Sequence, residues 1–167
     1  MDDPRDGPYS RAPELEDVVG LCAALNAAGA RYVLIGGFAV ILHGFVRGTK
    51  DIDLLVDASD ENVRRLKVAM ASLPDNAVAQ IEDSDVRRYL VVRVADEVVV
   101  DLLGSACGID YAGAIAGGIE RKVVEGVEVP VASMSLLVRL KDTVRPSDAA
   151  DVAFLRARME EDARRHA

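Results

Sequence analysis

The chain is poor in cysteine, short of basic residues and without a long apolar run, and each shortage removes a class of protein. Cys22 and Cys107 are the two cysteines among 167 residues, too few for a disulfide framework or a four-cysteine zinc site, so a reducing compartment fits best. Lysine and arginine number 20 against 28 acidic residues, a formal net charge of −8. That balance excludes a surface generally attractive to nucleic acid or anionic membrane, and any nucleic-acid contact must be local. No apolar stretch approaches the ~18 residues that cross a bilayer. Met1-Asp2-Asp3-Pro4 is acidic where a signal peptide is basic. The expectation is a soluble cytoplasmic protein without membrane partners. Internal repeats and low-complexity tracts are also absent.

What is present is globular: 50% apolar and 29% charged residues, in a length that suits one domain of roughly 100–200 residues. Residues 1–12 combine prolines, a glycine and charges without periodicity and read as a flexible leader. A core is expected over 13–132, with C-terminal helices over 133–167 packed on the same domain. Leu15, Val18, Val19, Cys22 and Leu25 follow helical spacing up to a stop at Gly29. Tyr32-Val33-Leu34-Ile35 reads as a strand broken by Gly36-Gly37, after which Phe38 to Leu42 can turn as a helix ending at Gly44. Asp51 to Val56 reads as a second strand, and Asp57 or Ser59 can cap a helix that carries Val63, Leu66, Met70 and Leu73 and closes at Pro74. Arg88 to Val94 and Glu97 to Leu103 read as a hairpin joined by Ala95-Asp96, and Arg121 to Val131 as another around Glu125-Gly126. Residues 104–118 read as loop or short helix. Ser133 can cap a helix through Leu140, and Ser147 or Asp148 can start the last one after Pro146.

Chemistry concentrates in the carboxylates. Side chains alternate along a strand, so Asp51 and Asp53 point one way while Ile52 and Leu54 point into the core. Two such carboxylates are costly unless a cation lies between them, and hard oxygen donors suit Mg²⁺ or Mn²⁺. A solvated strand end is the plainer reading of the same pair. Gly36-Gly37, between a strand and a helix, exposes backbone amides that can cradle phosphate. Asp101 sits inside the apolar run Val98 to Leu103 and needs a partner there, either a metal or an arginine such as Arg87, Arg88 or Arg93. Charge is also segregated along the chain: residues 31–50 hold three cations and no acid, and residues 51–61 hold five acids and no cation. Among the other polar residues, His43 reads as a core or hydrogen-bonding histidine and Asp148 as a helix cap, with Asp151 pairing with Arg145 or Lys141.

Taken in order, Ile35-Gly36-Gly37, a spacer over 38–50, Asp51-Ile52-Asp53 and the later Asp101 resemble the pattern of the polymerase β-type nucleotidyltransferase superfamily. Gly36-Gly37-Phe38-Ala39 through His43-Gly44 and Arg47-Gly48-Thr49-Lys50-Asp51 resemble its small stand-alone members. Leu136 to Lys141 followed by Arg145, Asp148 and Asp151 is similar to the related abortive-infection toxin family, although that family carries Gly-Ser and a shorter spacer. The resemblance implies an α+β fold, a small mixed sheet with helices packed on it and a C-terminal helical segment. It also implies transfer of a nucleoside monophosphate from a nucleoside triphosphate to a hydroxyl acceptor, with two Mg²⁺ or Mn²⁺ ions on Asp51, Asp53 and Asp101. Gly36 and Gly37 would hold the triphosphate, Lys141 would neutralise its β and γ phosphates, and Arg47 and Thr49 would support the loop or the nucleotide. The acceptor would be a small molecule, a protein or an RNA. A toxin that modifies tRNA and is held by an antitoxin is the most specific version, and a non-catalytic module that binds nucleotide or a protein is the alternative class.

Overall fold

A buried four-residue strand, β1 (Tyr32–Ile35), organises the molecule. All four of its side chains are apolar and buried, as expected of a strand covered on both faces. It runs without a loop into α2 (Gly36–Leu42), so the two glycines form the first turn of that helix, where the sequence reading starts it at Phe38. The computed structural model describes residues 10–167. Ahead of β1, α1 (Leu15–Ala27) begins in a reciprocal capping box between Glu14 and Asp17 and buries Val18, Leu21, Cys22 and Leu25. Gly29, at φ +68°, turns the chain out of it.

β2 (Asp51–Val56) lies antiparallel to β1, and α3 (Asp60–Met70) follows with Ser59 accepting the Asn62 amide as its cap. A 3₁₀ turn over Ala77–Gln80 and α4 (Asp85–Arg88) lead to β3 (Val92–Ala95) and β4 (Val99–Leu103). The hairpin expected over 88–103 is therefore shorter than its apolar run. Arg88 ends a helical turn whose Val86 is buried, and Tyr89, Leu90 and Val91 stay outside the sheet, more than 45% exposed each. The turn spans residues 96–98 because the Asp96 carboxylate accepts the backbone amides of Asp75, Ala77 and Glu97.

Residues 104–118 form a two-stranded ribbon, β5 (Ser105–Ala106) with β6 (Ile109–Asp110), and α5 (Tyr111–Gly117) capped by Asp110. β7 (Ile119–Val124) and β8 (Val127–Ala132) form the expected hairpin, with Glu125 and Gly126 both at positive φ. α6 (Met134–Leu140), capped by Ser133, and α7 (Pro146–Arg165) complete the chain. α7 starts at Pro146 in the first helical turn, ahead of the expected Ser147 or Asp148.

The architecture is α+β: a six-stranded mixed sheet in the order β3-β4-β2-β1-β8-β7 with helices packed on it. β2 pairs with β4 and β1 with β8 in parallel, and an antiparallel hairpin closes each side. α1 packs on α3 and β8, while α2 packs on β1, β2 and α6, which in turn holds α7. Leu136, Leu137 and Leu155 of the last two helices share one buried cluster with the strands. Of the expected leader, residues 1–9 lie outside the described residues. Residues 10–12 are held: Ser10 donates its hydroxyl to Asp96 O, Arg11 N donates to Glu97 O, and the Arg11 guanidinium grips both Asp17 oxygens. Among the described residues, no helix is long and apolar enough to cross a membrane.

Candidate functional site

Alternation along β2 leaves Asp51 and Asp53 on one face and buries Ile52 and Leu54 completely on the other. The parallel register of β2 with β4 sets Asp53 beside Asp101, and the antiparallel register of β4 with β3 sets Arg93 beside Asp101. Three carboxylates from two strands therefore converge, one oxygen from each lying within 4.8 Å of the others. Asp101 is 5% exposed. Burial, reinforced by the charges of Asp51 and Asp101, pushes the Asp53 carboxyl up to about 8, and Lys141 pulls in the opposite direction. Asp51 is also raised, by burial first and then by the Asp101 charge, with Arg93 opposing.

Of the two partners open to Asp101 in the sequence, the structure supplies an arginine. Arg93 donates from Nε to Asp101 Oδ1 and from Nη2 to Asp101 Oδ2, both at 2.8 Å, and Nη2 also lies 3.2 Å from Asp51 Oδ2. The register singles out Arg93 from the three arginines considered. Arg87 instead pairs with Asp60, and the Arg88 guanidinium lies 5.8 Å from the centre of the Tyr89 ring.

These groups form the floor of a cleft of about 790 Å³, within the size range of ligand pockets. Alternate residues of β3, β4 and β2 line the floor, and the β5–β6 ribbon and the α6–α7 connection supply the walls. Leu90 and Val91, read as strand in the sequence, form an apolar lip. Lys141, Thr143, Arg145 and Asp148 stand on the α6–α7 side. A smaller cavity of about 340 Å³ beside Asn26, Tyr32, Arg121 and Glu128 is lined by side chains that bond to one another.

A second carboxylate cluster adjoins the cleft. Asp151, 1% exposed, takes Arg47 Nη1 at 2.8 Å and Lys141 Nζ at 2.9 Å on the same oxygen, Oδ2. Its Oδ1 has no hydrogen-bond partner among the described residues. Asp148 accepts the Thr143 hydroxyl, Arg145 Nε at 2.9 Å and Lys141 Nζ at 3.5 Å. Burial raises the Asp148 carboxyl, but Thr143, Arg145 and Lys141 outweigh it and leave the group below its ordinary range.

Of the residues singled out in the sequence, the structure gathers Asp51, Asp53, Asp101, Gly36 and Lys141 around one cleft. Gly36, at φ +69°, lies so close to Asp53 that a Cβ there would collide with its carboxylate. Gly37, Arg47 and Thr49 are not in the lining. A Cβ on Gly37 would fall 2.7 Å from Thr49 Oγ1 and 3.2 Å from Arg47 Nη1, so this glycine makes room for the 43–50 loop and does not open onto the cleft. Arg47 is committed to Asp151, and Thr49 donates to Asp51 O at 3.3 Å. His43 is structural, with Nε2 2.9 Å from Ala132 O. Asp151 pairs with Lys141, while Arg145 goes to Asp148. Thr143 was missed in the sequence, as was Arg145 as a wall of the cleft. The one signal for both was the polar run following α6. The chain matches no protein-family model and no curated protein sequence.

Proposed function

We propose that the protein is a metal-dependent nucleotidyltransferase, moving a nucleoside monophosphate from a nucleoside triphosphate to a hydroxyl acceptor. The observation that carries this reading is the convergence of Asp51, Asp53 and Asp101 within 4.8 Å on the floor of a large cleft. The donor set fits Mg²⁺ or Mn²⁺, since every group offered is a carboxylate oxygen. Burial raises the Asp53 carboxyl first, and the charges of Asp51 and Asp101 add to that rise. When bound, such ions would polarise the α-phosphate and the acceptor hydroxyl.

The chain's own residues then divide the work. Asp51 and Asp53 would hold both ions, and Asp101 the one on the acceptor side. Gly36 keeps the approach to Asp53 clear of side chain. Lys141 and Arg145 bring positive charge to one wall, where β and γ phosphates would lie, and Arg145 is the more available of the two, its side chain 73% exposed. Leu90 and Val91 offer an apolar lip for a base or an acceptor.

The test is transfer of label from an α-labelled nucleoside triphosphate, with Mg²⁺, to tRNA, protein and small-molecule fractions of a cell extract. Each of the four nucleotides is tried in turn. Wild-type protein labels one fraction covalently and Asp53→Asn does not. Equal labelling by the two proteins would sink the catalytic reading. Transfer to tRNA, together with a partner protein that suppresses it, would identify the toxin form implied by the resemblance.

A further inference from the structure

We infer that Arg93 is the protein's own rival to the divalent ion, competing with it for Asp51 and Asp101 and so setting how tightly the ion is held. This inference rests on the reading of the trio as a metal centre. Its basis is the position of the guanidinium. Arg93 occupies both oxygens of Asp101, at 2.8 Å each, and also reaches Asp51 Oδ2 at 3.2 Å. Those oxygens belong to two of the three carboxylates that can converge on an ion. A cation that takes Asp101 must share a carboxylate both of whose oxygens already accept from Arg93, and it must face the arginine's charge at close range.

The placement on an edge strand makes the exchange feasible. Among the described residues β3 pairs only with β4 in the sheet order, and Arg93 lines the cleft, with its side chain 25% exposed. The guanidinium can therefore turn into the cleft without crossing packed core. There its planar fork of donors matches phosphate oxygens as well as it matched the carboxylate. Release of Arg93 is then favoured when the ion arrives with a triphosphate, because the freed arginine has a new anionic partner. Ion and triphosphate should bind cooperatively through this one side chain.

The test uses the full chain, stripped of divalent ions with a chelator and then titrated with Mn²⁺, with bound ion read by electron paramagnetic resonance. Arg93→Met keeps an unbranched stem and removes the charge. It should bind Mn²⁺ about tenfold more tightly than wild type, a difference the size of one charge-assisted hydrogen bond, because the competing cation is gone. Arg93→Lys keeps the charge but loses the fork and should fall between the two. A non-hydrolysable triphosphate analogue should tighten Mn²⁺ binding more in wild type than in Arg93→Met. In chelator, Arg93→Met should melt below wild type, and Mn²⁺ should raise its melting temperature by the larger increment. Mn²⁺ affinity in folded Arg93→Met equal to or weaker than wild type overturns the inference and leaves the metal centre intact. If neither protein binds Mn²⁺ at millimolar concentration, the metal centre itself falls and the inference with it. Should Arg93→Met fail to fold, Arg93→Lys decides by the same comparison.

Discussion

Lys141 stands between two carboxylate clusters that the chain treats in opposite ways. On one side, Asp148 and Asp151 share Arg47, Lys141 and Arg145, with the Thr143 hydroxyl in addition. Asp148 is held below its ordinary range despite burial. On the other side, Arg93 contacts Asp51 and Asp101, while Asp53 feels the Lys141 charge and is pushed up to about 8 by burial and by its two carboxylate neighbours. Burial of charge is expensive in both places, and a buried ion pair survives only where its geometry returns most of that cost. The first cluster is closed in charge, its carboxylates paired with the chain's own cations even where Lys141 and Arg145 line the cleft, and it ties the start of α7 to the 43–50 loop. The second opens onto the cleft, and there burial and the mutual repulsion of the carboxylates together raise Asp53. The formal −8 therefore describes surface and site unequally.

The largest effect should come from breaking the open cluster. Asp53→Asn should lower nucleotidyl transfer more than about 100-fold, above the range seen when outer-shell partners of a metal are lost. In chelator the same variant should be more stable than wild type at pH 8, because it removes one of three mutually repelling carboxylates. The sign follows from linkage. Asp53 titrates near 8 in the folded protein against roughly 4 in an unfolded chain. Between those values the folded state keeps a proton that the unfolded state has lost, so wild-type stability falls as pH rises through this window and levels off above it. Urea unfolding across the window should show that slope in wild type and lose much of it in Asp53→Asn. A wild-type curve that rises there would mean the trio is already balanced.

Next comes the closed cluster. Lys141→Met leaves Asp151 with Arg47 and Asp148 with Arg145, so a carboxylate 1% exposed loses one of its two cations. The expected cost is about 3 kcal/mol, or roughly 6–12 °C in Tm, by urea and thermal unfolding. A loss of transfer activity with unchanged stability would instead make Lys141 a phosphate ligand only and erase the contrast between the clusters.

How legible these clusters were in the sequence depended on how local their causes were. β1, β2, the β7–β8 hairpin and the Ser59 and Ser133 caps follow from short patterns of apolar alternation, turn glycine and capping hydroxyl, and all appear where those patterns place them. Asp51 and Asp53 share a face for the same local reason. The parallel register that sets Asp53 beside Asp101 is reached only after α3, α4 and β3 have been laid down, and the antiparallel register that sets Arg93 there depends on a turn over 96–98 held by Asp96, so the sequence narrowed the candidates without choosing Arg93. Tyr89, Leu90 and Val91 have strand-forming side chains, and local propensity placed them in β3, whereas they line or flank the cleft. The Arg47–Asp151 pair spans 104 residues and left no local trace. A diglycine also carries no mark of what will pack against it, so the fit of Gly37 against Thr49 and Arg47 was not legible.

A smaller change probes the link between the clusters. The 43–50 loop carries Arg47 to Asp151 and delivers Asp51 to β2, and it rests on the bare Cα of Gly37. Gly37→Ala would place a methyl 2.7 Å from Thr49 Oγ1 and 2.9 Å from Thr49 Cβ. The loop must shift, at an expected cost of about 1–3 kcal/mol in unfolding free energy. Because Arg47 Nη1 lies 3.2 Å from the same position, the shift should weaken the closed cluster first. A double-mutant cycle with Lys141→Met should then show coupling, whereas strict additivity would make the loop and the cluster independent.

The smallest expected effect asks how redundant the closed cluster is. The Thr143 hydroxyl donates to Asp148 Oδ2 and accepts the Arg145 amide at 3.2 Å, so Thr143→Val removes a neutral donor and an acceptor with little change of shape. Asp148 keeps Arg145 and Lys141, both cations. The loss should therefore stay near 1 kcal/mol, the usual net value of one hydrogen bond. It should shrink as pH falls through the acid range, because the hydroxyl helps hold the charged Asp148 carboxyl below its ordinary range and protonating Asp148 removes that difference between wild type and variant. A loss of about 3 kcal/mol or more would show that the cluster has no reserve of positive charge and that both carboxylate groups are poised near the limit of what the chain can compensate.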